Sequence, residues 1–122
     1  MDSKMLAKEI LTKYGNTLQD KLNYYSEISK KSGKWYHLTN IVEYEFLLAK
    51  LNTFSNPYHM LMYLKTQCGK LSHTAELMVI NTVDNIEGER NAYYDRLVAL
   101  YTQEYVNLKR MLDDIMEDCK ND

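Results

Sequence analysis

The chain has little proline and glycine: one proline and four glycines in 122 residues. Turns depend on these residues, because glycine reaches positive φ angles and proline fixes φ. Such scarcity predicts few turns and long secondary-structure elements. It argues against a β-sandwich or a β-barrel, since those folds need many turns. We therefore expect an all-α fold.

Cysteine and long apolar runs are also scarce. Cys68 and Cys119 are far apart and lack metal-binding or redox spacing, which suits a reducing compartment. The N-terminal residues show no apolar signal-peptide core, and no run approaches the roughly 18 apolar residues of a membrane span. We expect a protein of the cytoplasm, or of an infected host's cytoplasm, with no membrane partner.

Length and charge indicate one domain with two electrostatically different ends. A chain of 122 residues fits a single domain, and 45% hydrophobic and 26% charged residues are ordinary for a globular protein. Residues 1–34 carry seven lysines and four acids, whereas residues 81–122 carry five basic and ten acidic residues. This asymmetry steers partners, or it is only the solvated surface of the helices.

Apolar residues spaced three and four apart predict a pair of helices in the first half of the chain. The first covers residues 3–31, and Gly33 can adopt the left-handed conformation that ends a helix. Its apolar stripe consists of Leu11, Tyr14, Leu18, Leu22, Tyr25 and Ile28. The second covers residues 34–54 and is apolar on so many sides that we expect burial on more than one. The short link between them predicts an antiparallel hairpin.

The second half predicts a short helix followed by a long one. Asn56-Pro57 is a typical helix start, which places the third helix at residues 57–68. Gly69-Lys70 then suggests a break, and an amphipathic, coiled-coil-like helix over residues 72–118 completes a bundle of three or four helices. That helix would measure about 65–70 Å, so it either breaks near residues 81–88 or is covered by a partner.

The polar residues show no catalytic arrangement. His37, His59 and His73 each lack a second metal ligand at helical spacing. Phosphate-binding glycine loops and nucleophile motifs are absent from the sequence. We therefore expect no enzymatic activity, no cofactor and no metal.

Two charged residues interrupt the apolar seam of the long helix, Arg90 and Glu104. A buried charge needs a partner. Either these residues lie at a rim or pair across helices, or they form a catalytic or register-setting polar site. If an ion pair is buried there, we expect it to set the specificity of pairing. The predicted partner-binding residues follow this seam and its tyrosines: Arg90, Tyr94, Leu97, Tyr101, Glu104, Tyr105 and Leu108.

Aromatic residues support two further interpretations. The eleven tyrosines fill a core with their hydroxyls towards water, or they provide a protein-binding surface. Lysines also lie next to aromatic residues where the first two helices join, so phosphate and bases could bind there. The alternative is that these residues only end one helix and start the next, and that the tryptophan is buried. The residues of this possible nucleic-acid site are Lys30, Lys31, Lys34, Trp35 and Tyr36.

Two parts of the chain resemble known families. Gly33-Lys34-Trp35-Tyr36-His37-Leu38, with Val42 and Leu47-Leu48, resembles helix two of small flagellar export chaperones, which implies an acidic, cytoplasmic, antiparallel bundle that holds one exported protein. The order of elements, with Tyr25-Ser26 and lysines before a basic-aromatic helix and a long final helix, is similar to phage-type recombination mediators. That implies an all-helical oligomer that loads a recombinase on single-stranded DNA. No functional residue is carried over from either family.

These features together favour a non-catalytic interaction protein. It would bind a protein partner, itself or both through the long helix and the tyrosine-rich surface. Its role would be that of an adaptor, a chaperone-like protein or a phage or viral inhibitor of a host factor. The alternative is a phage-type recombination mediator or another accessory factor that binds single-stranded nucleic acid.

Overall fold

The computed structural model describes the backbone of residues 3–81 and 85–121 and, within these ranges, the side chains of residues 3–74, 93–115 and 117. Over these ranges the chain forms four helices and no strand, so the predicted all-α class is confirmed. The helices are α1 (Ser3–Ser32), α2 (Trp35–Leu51), α3 (Pro57–Asn81) and α4 (Asn85–Asn121).

Contacts along the backbone divide the chain into two compact units, Met1–Met60 and Leu61–Asp122. The first unit contains α1, α2 and the first turn of α3, and the second contains the rest of α3 and α4. The single domain that we expect from chain length stays a prediction.

In the first unit, α1 and α2 form an antiparallel hairpin. The rings of Tyr25 and Tyr44 stack with their centroids 5.7 Å apart. Further from the turn, a Cβ added to Gly15 would lie only 3.3 Å from Cδ2 of Leu51, so the two helices approach closely there. The order of these contacts requires antiparallel helices, as the short link predicts. Side chains from both helices are buried in this unit: Ile10, Tyr14, Leu18, Tyr44, Leu47 and Leu51.

The turn between α1 and α2 consists of Gly33 and Lys34. Gly33 has φ +63°, in the left-handed region that a residue with a Cβ enters only at a cost. Its N–H donates to the carbonyl oxygen of Ser29 at 3.1 Å, which satisfies one of the last carbonyls of α1. Glycine therefore ends α1 at the position that the sequence predicts.

Helix α3 begins at Pro57, where the Asn56-Pro57 pattern predicts a start. The side-chain oxygen Oδ1 of Asn56 accepts a hydrogen bond from the backbone N–H of Tyr58 at 2.9 Å. The predicted break at Gly69-Lys70 is wrong, because α3 continues through both residues to Asn81. An interior glycine costs only about 1 kcal/mol, and the apolar spacing of α3 runs through it uninterrupted.

The final helix also differs from its prediction. The predicted start at residue 72 is wrong, because residues 72–81 belong to α3, and α4 covers Asn85–Asn121. Residues 82–84, within the region 81–88 where we expect a possible break, lie outside the described part of the chain. The choice between a broken and a continuous helix therefore stays a prediction. Within the second unit, Oγ1 of Thr102 donates to Sγ of Cys68 at 3.7 Å, which places α4 beside α3.

Candidate partner-binding surface

One face of α2 exposes four large apolar side chains, Trp35, Leu38, Val42 and Phe46. They are separated by three, four and four residues, so they follow one line along the helix. Their exposed fractions are 48%, 56%, 46% and 61%. At roughly half of 200 Å² each, they present roughly 400 Å² of apolar surface, a size at which exposed patches are often functional. We call these four residues the α2 stripe.

The opposite face of α2 is buried. Tyr44, Leu47 and Leu51 are at most 5% exposed and belong to the hairpin core. Helix α2 is therefore apolar on two sides, of which this chain covers one. The expectation that α2 is buried on more than one side is wrong for the chain alone, because the face that carries Trp35 and Phe46 stays open. A helix that is apolar all round is normally buried, so the open face is the exception here.

Positive charge lies at one end of the α2 stripe. Lys30 and Lys31 occupy the last turn of α1, Lys34 immediately precedes α2, and all three are exposed. The Lys34 ammonium lies 5.7 Å from the ring centre of Tyr36, and the Lys30 ammonium lies 3.4 Å from Oε1 of Glu27. We call Lys30, Lys31 and Lys34 the lysine corner.

The start of α2 adds to this positive potential. Lys34 occupies the N-cap position without a side-chain hydrogen bond to the helix, and the first turn of α2 contains no acidic residue. The backbone N–H groups at a helix start carry partial positive charge. Trp35, which is next to Lys34, is exposed rather than buried, so the corner combines a tryptophan ring with cationic groups.

The predicted partner-binding residues of α4 occupy a different environment. Leu97, Tyr101, Glu104 and Leu108 are buried within the chain, Glu104 and Leu108 completely. Their spacing of four, three and four residues is that of a helix face packed in a core. A partner could reach them only after the helix moved, so as placed they stabilise the fold.

The other predicted α4 residues are less enclosed. Tyr94 and Tyr105 are half-buried, and the Arg90 side chain lies outside the described residues.

The adjacent tyrosines Tyr24 and Tyr25 of α1 point in different directions, as neighbouring residues on a helix do, since Tyr24 is exposed and Tyr25 is half-buried. Of the eleven tyrosines only Tyr24 and Tyr58 are exposed, so most of the tyrosines lie in the core or at its edge.

The histidines are dispersed. His59 and His73 are exposed, whereas His37 is half-buried between the rings of Tyr25 and Tyr36. The Nδ1 atom of His37 is buried and has no hydrogen-bond partner among the described residues. In the described part of the chain, histidine, cysteine and carboxylate groups nowhere gather as three or more possible metal ligands.

None of the described helices has the length and apolar character needed to cross a membrane. No protein-family model matches the chain, and comparisons with curated proteins and with solved structures find no match.

Sequence reasoning identified Trp35 but only as part of a lysine-rich junction, and it missed Leu38, Val42 and Phe46 as surface residues. The signal was present in the apolar character of α2 on all sides. What the sequence could not supply was which of the two faces α1 covers. The contacts of Tyr44 and Leu51 with α1 decide this, and they leave the α2 stripe uncovered.

Proposed function

We propose that this chain is a non-catalytic helical interaction protein that binds a protein partner through the α2 stripe. The observation that carries the proposal is the exposure of Trp35, Leu38, Val42 and Phe46 along one line of α2. Water contact with so much apolar surface is unfavourable by about 25 cal/mol per Å². A partner that covers the stripe would remove this cost.

The fold that we propose for this role is a helical bundle with a long amphipathic C-terminal helix. The buried residues of α4 support the amphipathic part, since Leu97, Tyr101, Leu108 and Leu112 lie on one face. Exposed acids such as Asp113 and Asp114 occupy other positions of the same helix. A coiled-coil pairing of α4 with a second chain would need this face to be free, so we place partner binding on α2.

Several roles fit such a surface: an adaptor, a chaperone-like holder of another protein, or a phage or viral accessory protein that blocks a host factor. Each needs an apolar docking face on a small cytoplasmic protein, and none needs a catalytic group. Self-association through the same face is a further form of the proposal. Light scattering tests it directly, because a monomer at tens of micromolar would remove the self-association form.

A peptide-display selection against the full chain tests the proposal. We expect selected peptides to carry apolar residues at helical spacing, and to lose at least tenfold in affinity for the Val42→Glu variant, since a charge would then lie in the apolar contact. Thr12→Glu, on the exposed side of α1, changes the net charge by the same amount and should bind as wild type. Peptides that bind both variants equally would contradict the proposal.

The second candidate is a factor that binds single-stranded nucleic acid, such as a recombination mediator. The exposed Trp35 beside the lysine corner favours it, because lysine neutralises phosphate and a tryptophan ring stacks on a base. A salt titration with a fluorescent oligonucleotide tests this candidate. Absence of binding at about 50 mM salt, where charge contacts are strongest, would rule it out.

A further inference from the structure

We infer that the partner of the α2 stripe is an amphipathic helix whose one end is acidic, and that this end lies over the lysine corner. The inference rests on the proposed function and specifies the partner's chemistry. Two observations support this inference. The apolar residues run along α2 at helical spacing, and the positive groups concentrate at one end of the line, where three lysines are exposed, whereas the other end has the half-buried Lys50.

The length of the α2 stripe suits a helical partner. From Trp35 to Phe46 is eleven residues, or about 16 Å of helix, which three turns of a second helix would cover. Apolar side chains at positions i, i+3 or i+4 and i+7 of such a partner would meet Leu38, Val42 and Phe46 in turn. The aliphatic members of the stripe provide contact area and no stacking surface for bases.

Charge along the α2 stripe favours a protein over a nucleic acid. A nucleic-acid strand carries a phosphate at every nucleotide and needs basic groups along its whole path. Beyond the lysine corner, the charged residue exposed beside the stripe is Glu45, which would repel phosphate. A partner helix with acids at one end would place those acids on the lysine corner and its apolar side chains on the rest of the α2 stripe.

Charge and area both argue against a second copy of this chain as the occupant. In an antiparallel pair of α2 helices, the lysine corner would face the other copy's α2 end, where the charges of Glu45 and Lys50 offset each other, so the corner would gain little there. In a parallel pair, it would face itself. The four residues of the α2 stripe expose roughly 400 Å² of apolar surface. That is about half of what a stable dimer buries per partner.

The test uses the full chain and the fluorescence of Trp35, its one tryptophan, which belongs to the stripe. The probes are two synthetic 18-residue helical peptides without tryptophan. Both carry leucines at four positions spaced three and four residues apart, and they end in either three glutamates or three lysines. We expect the glutamate peptide to shift the Trp35 emission to shorter wavelength and to bind at least tenfold more tightly at about 50 mM salt. Each exposed ion pair contributes a factor of about two to five, and salt should reduce the difference.

Two charge-reversal variants separate the local effect from net charge. Lys31→Glu/Lys34→Glu should reverse the preference in favour of the lysine peptide. Lys8→Glu/Lys13→Glu changes net charge by the same amount on exposed positions of α1 and should keep the wild-type preference. Equal affinity for both peptides would overturn the inference while leaving an apolar binding face in place. Binding of neither peptide would count against the proposed function as well.

Two further outcomes would replace the acidic helix by another occupant. If an oligonucleotide of deoxythymidines displaces the glutamate peptide and binds more tightly, the corner is a nucleic-acid site. If the chain is a dimer that Val42→Glu dissociates and the peptide does not, the occupant is a second copy.

Discussion

Substituting alanine at two glycines should change stability in opposite directions, and this tests how α1 and α3 are built. Gly33 has φ +63° with open space around it, so alanine there meets no described atom and its cost comes from the backbone. The left-handed conformation costs a residue with a Cβ about 1–2 kcal/mol. Alanine also restricts the unfolded chain more than glycine does, which stabilises the folded state by about 0.4–1 kcal/mol and offsets part of this cost. We expect Gly33→Ala to destabilise by about 1 kcal/mol.

Gly69 lies inside α3 and also has open space, but its φ is not in the positive range. Alanine favours a helix interior over glycine by about 1 kcal/mol. Gly69→Ala should therefore stabilise the chain by nearly the amount by which Gly33→Ala destabilises it. With a urea dependence of about 2 kcal/mol per M, the two midpoints should move by about 0.5 M in opposite directions.

Urea titrations with two signals measure these shifts. Trp35 emission follows the first unit, where Gly33 lies, and far-UV circular dichroism follows all helices, including α3. Gly33→Asn serves as the control, because asparagine tolerates the left-handed region better than alanine and should recover part of the loss. Midpoints that moved in the same direction would refute the positive φ at Gly33 or the continuity of α3 through Gly69.

Three further predictions concern named side chains. Leu47→Ala should cost about 2–5 kcal/mol because Leu47 is fully buried, whereas Phe46→Ala, on the exposed face, should change the free energy of unfolding by less than about 1 kcal/mol; similar losses would contradict the assignment of the two faces. Asn56→Ala should cost about 1 kcal/mol by removing the acceptor for the N–H of Tyr58, and an unchanged urea midpoint would speak against that cap. Glu104→Ala should cost at least about 2 kcal/mol through the volume lost at a fully buried position, and a smaller loss in thermal unfolding would place Glu104 at the surface.

Local signals in the sequence predicted those parts of the fold that depend on short-range chemistry. The scarcity of proline and glycine predicted an all-α chain. Gly33 predicted the end of α1, because only glycine adopts the required φ without cost. Asn56-Pro57 predicted the start of α3, because the cap and the fixed φ act within one turn.

The errors arose where competing signals had similar strength. A glycine in a helix costs about 1 kcal/mol, which a continuing apolar face easily offsets, so Gly69 was wrongly taken as a break. The wrong start of the last helix at residue 72 followed from the same error, because residues 72–81 belong to α3.

The candidate site could be predicted only in part, because burial depends on tertiary contacts. Spacing showed that α2 and α4 have apolar faces, but it could not tell which face another helix covers. The α4 face with Leu97 and Leu108 is buried, and the α2 face with Val42 and Phe46 is exposed. The sequence predicted an interaction surface on α4, and the exposure of the α2 stripe leads us to propose α2 instead.

The two-residue turn at Gly33-Lys34 has a kinetic consequence. Closing so short a connection costs little chain entropy, and the paired residues of α1 and α2 are near in sequence, as Tyr25 and Tyr44 illustrate. Chains dominated by such local contacts fold in microseconds to milliseconds. The hairpin should therefore assemble quickly, so that its core side chains spend little time exposed in a partly folded chain during synthesis.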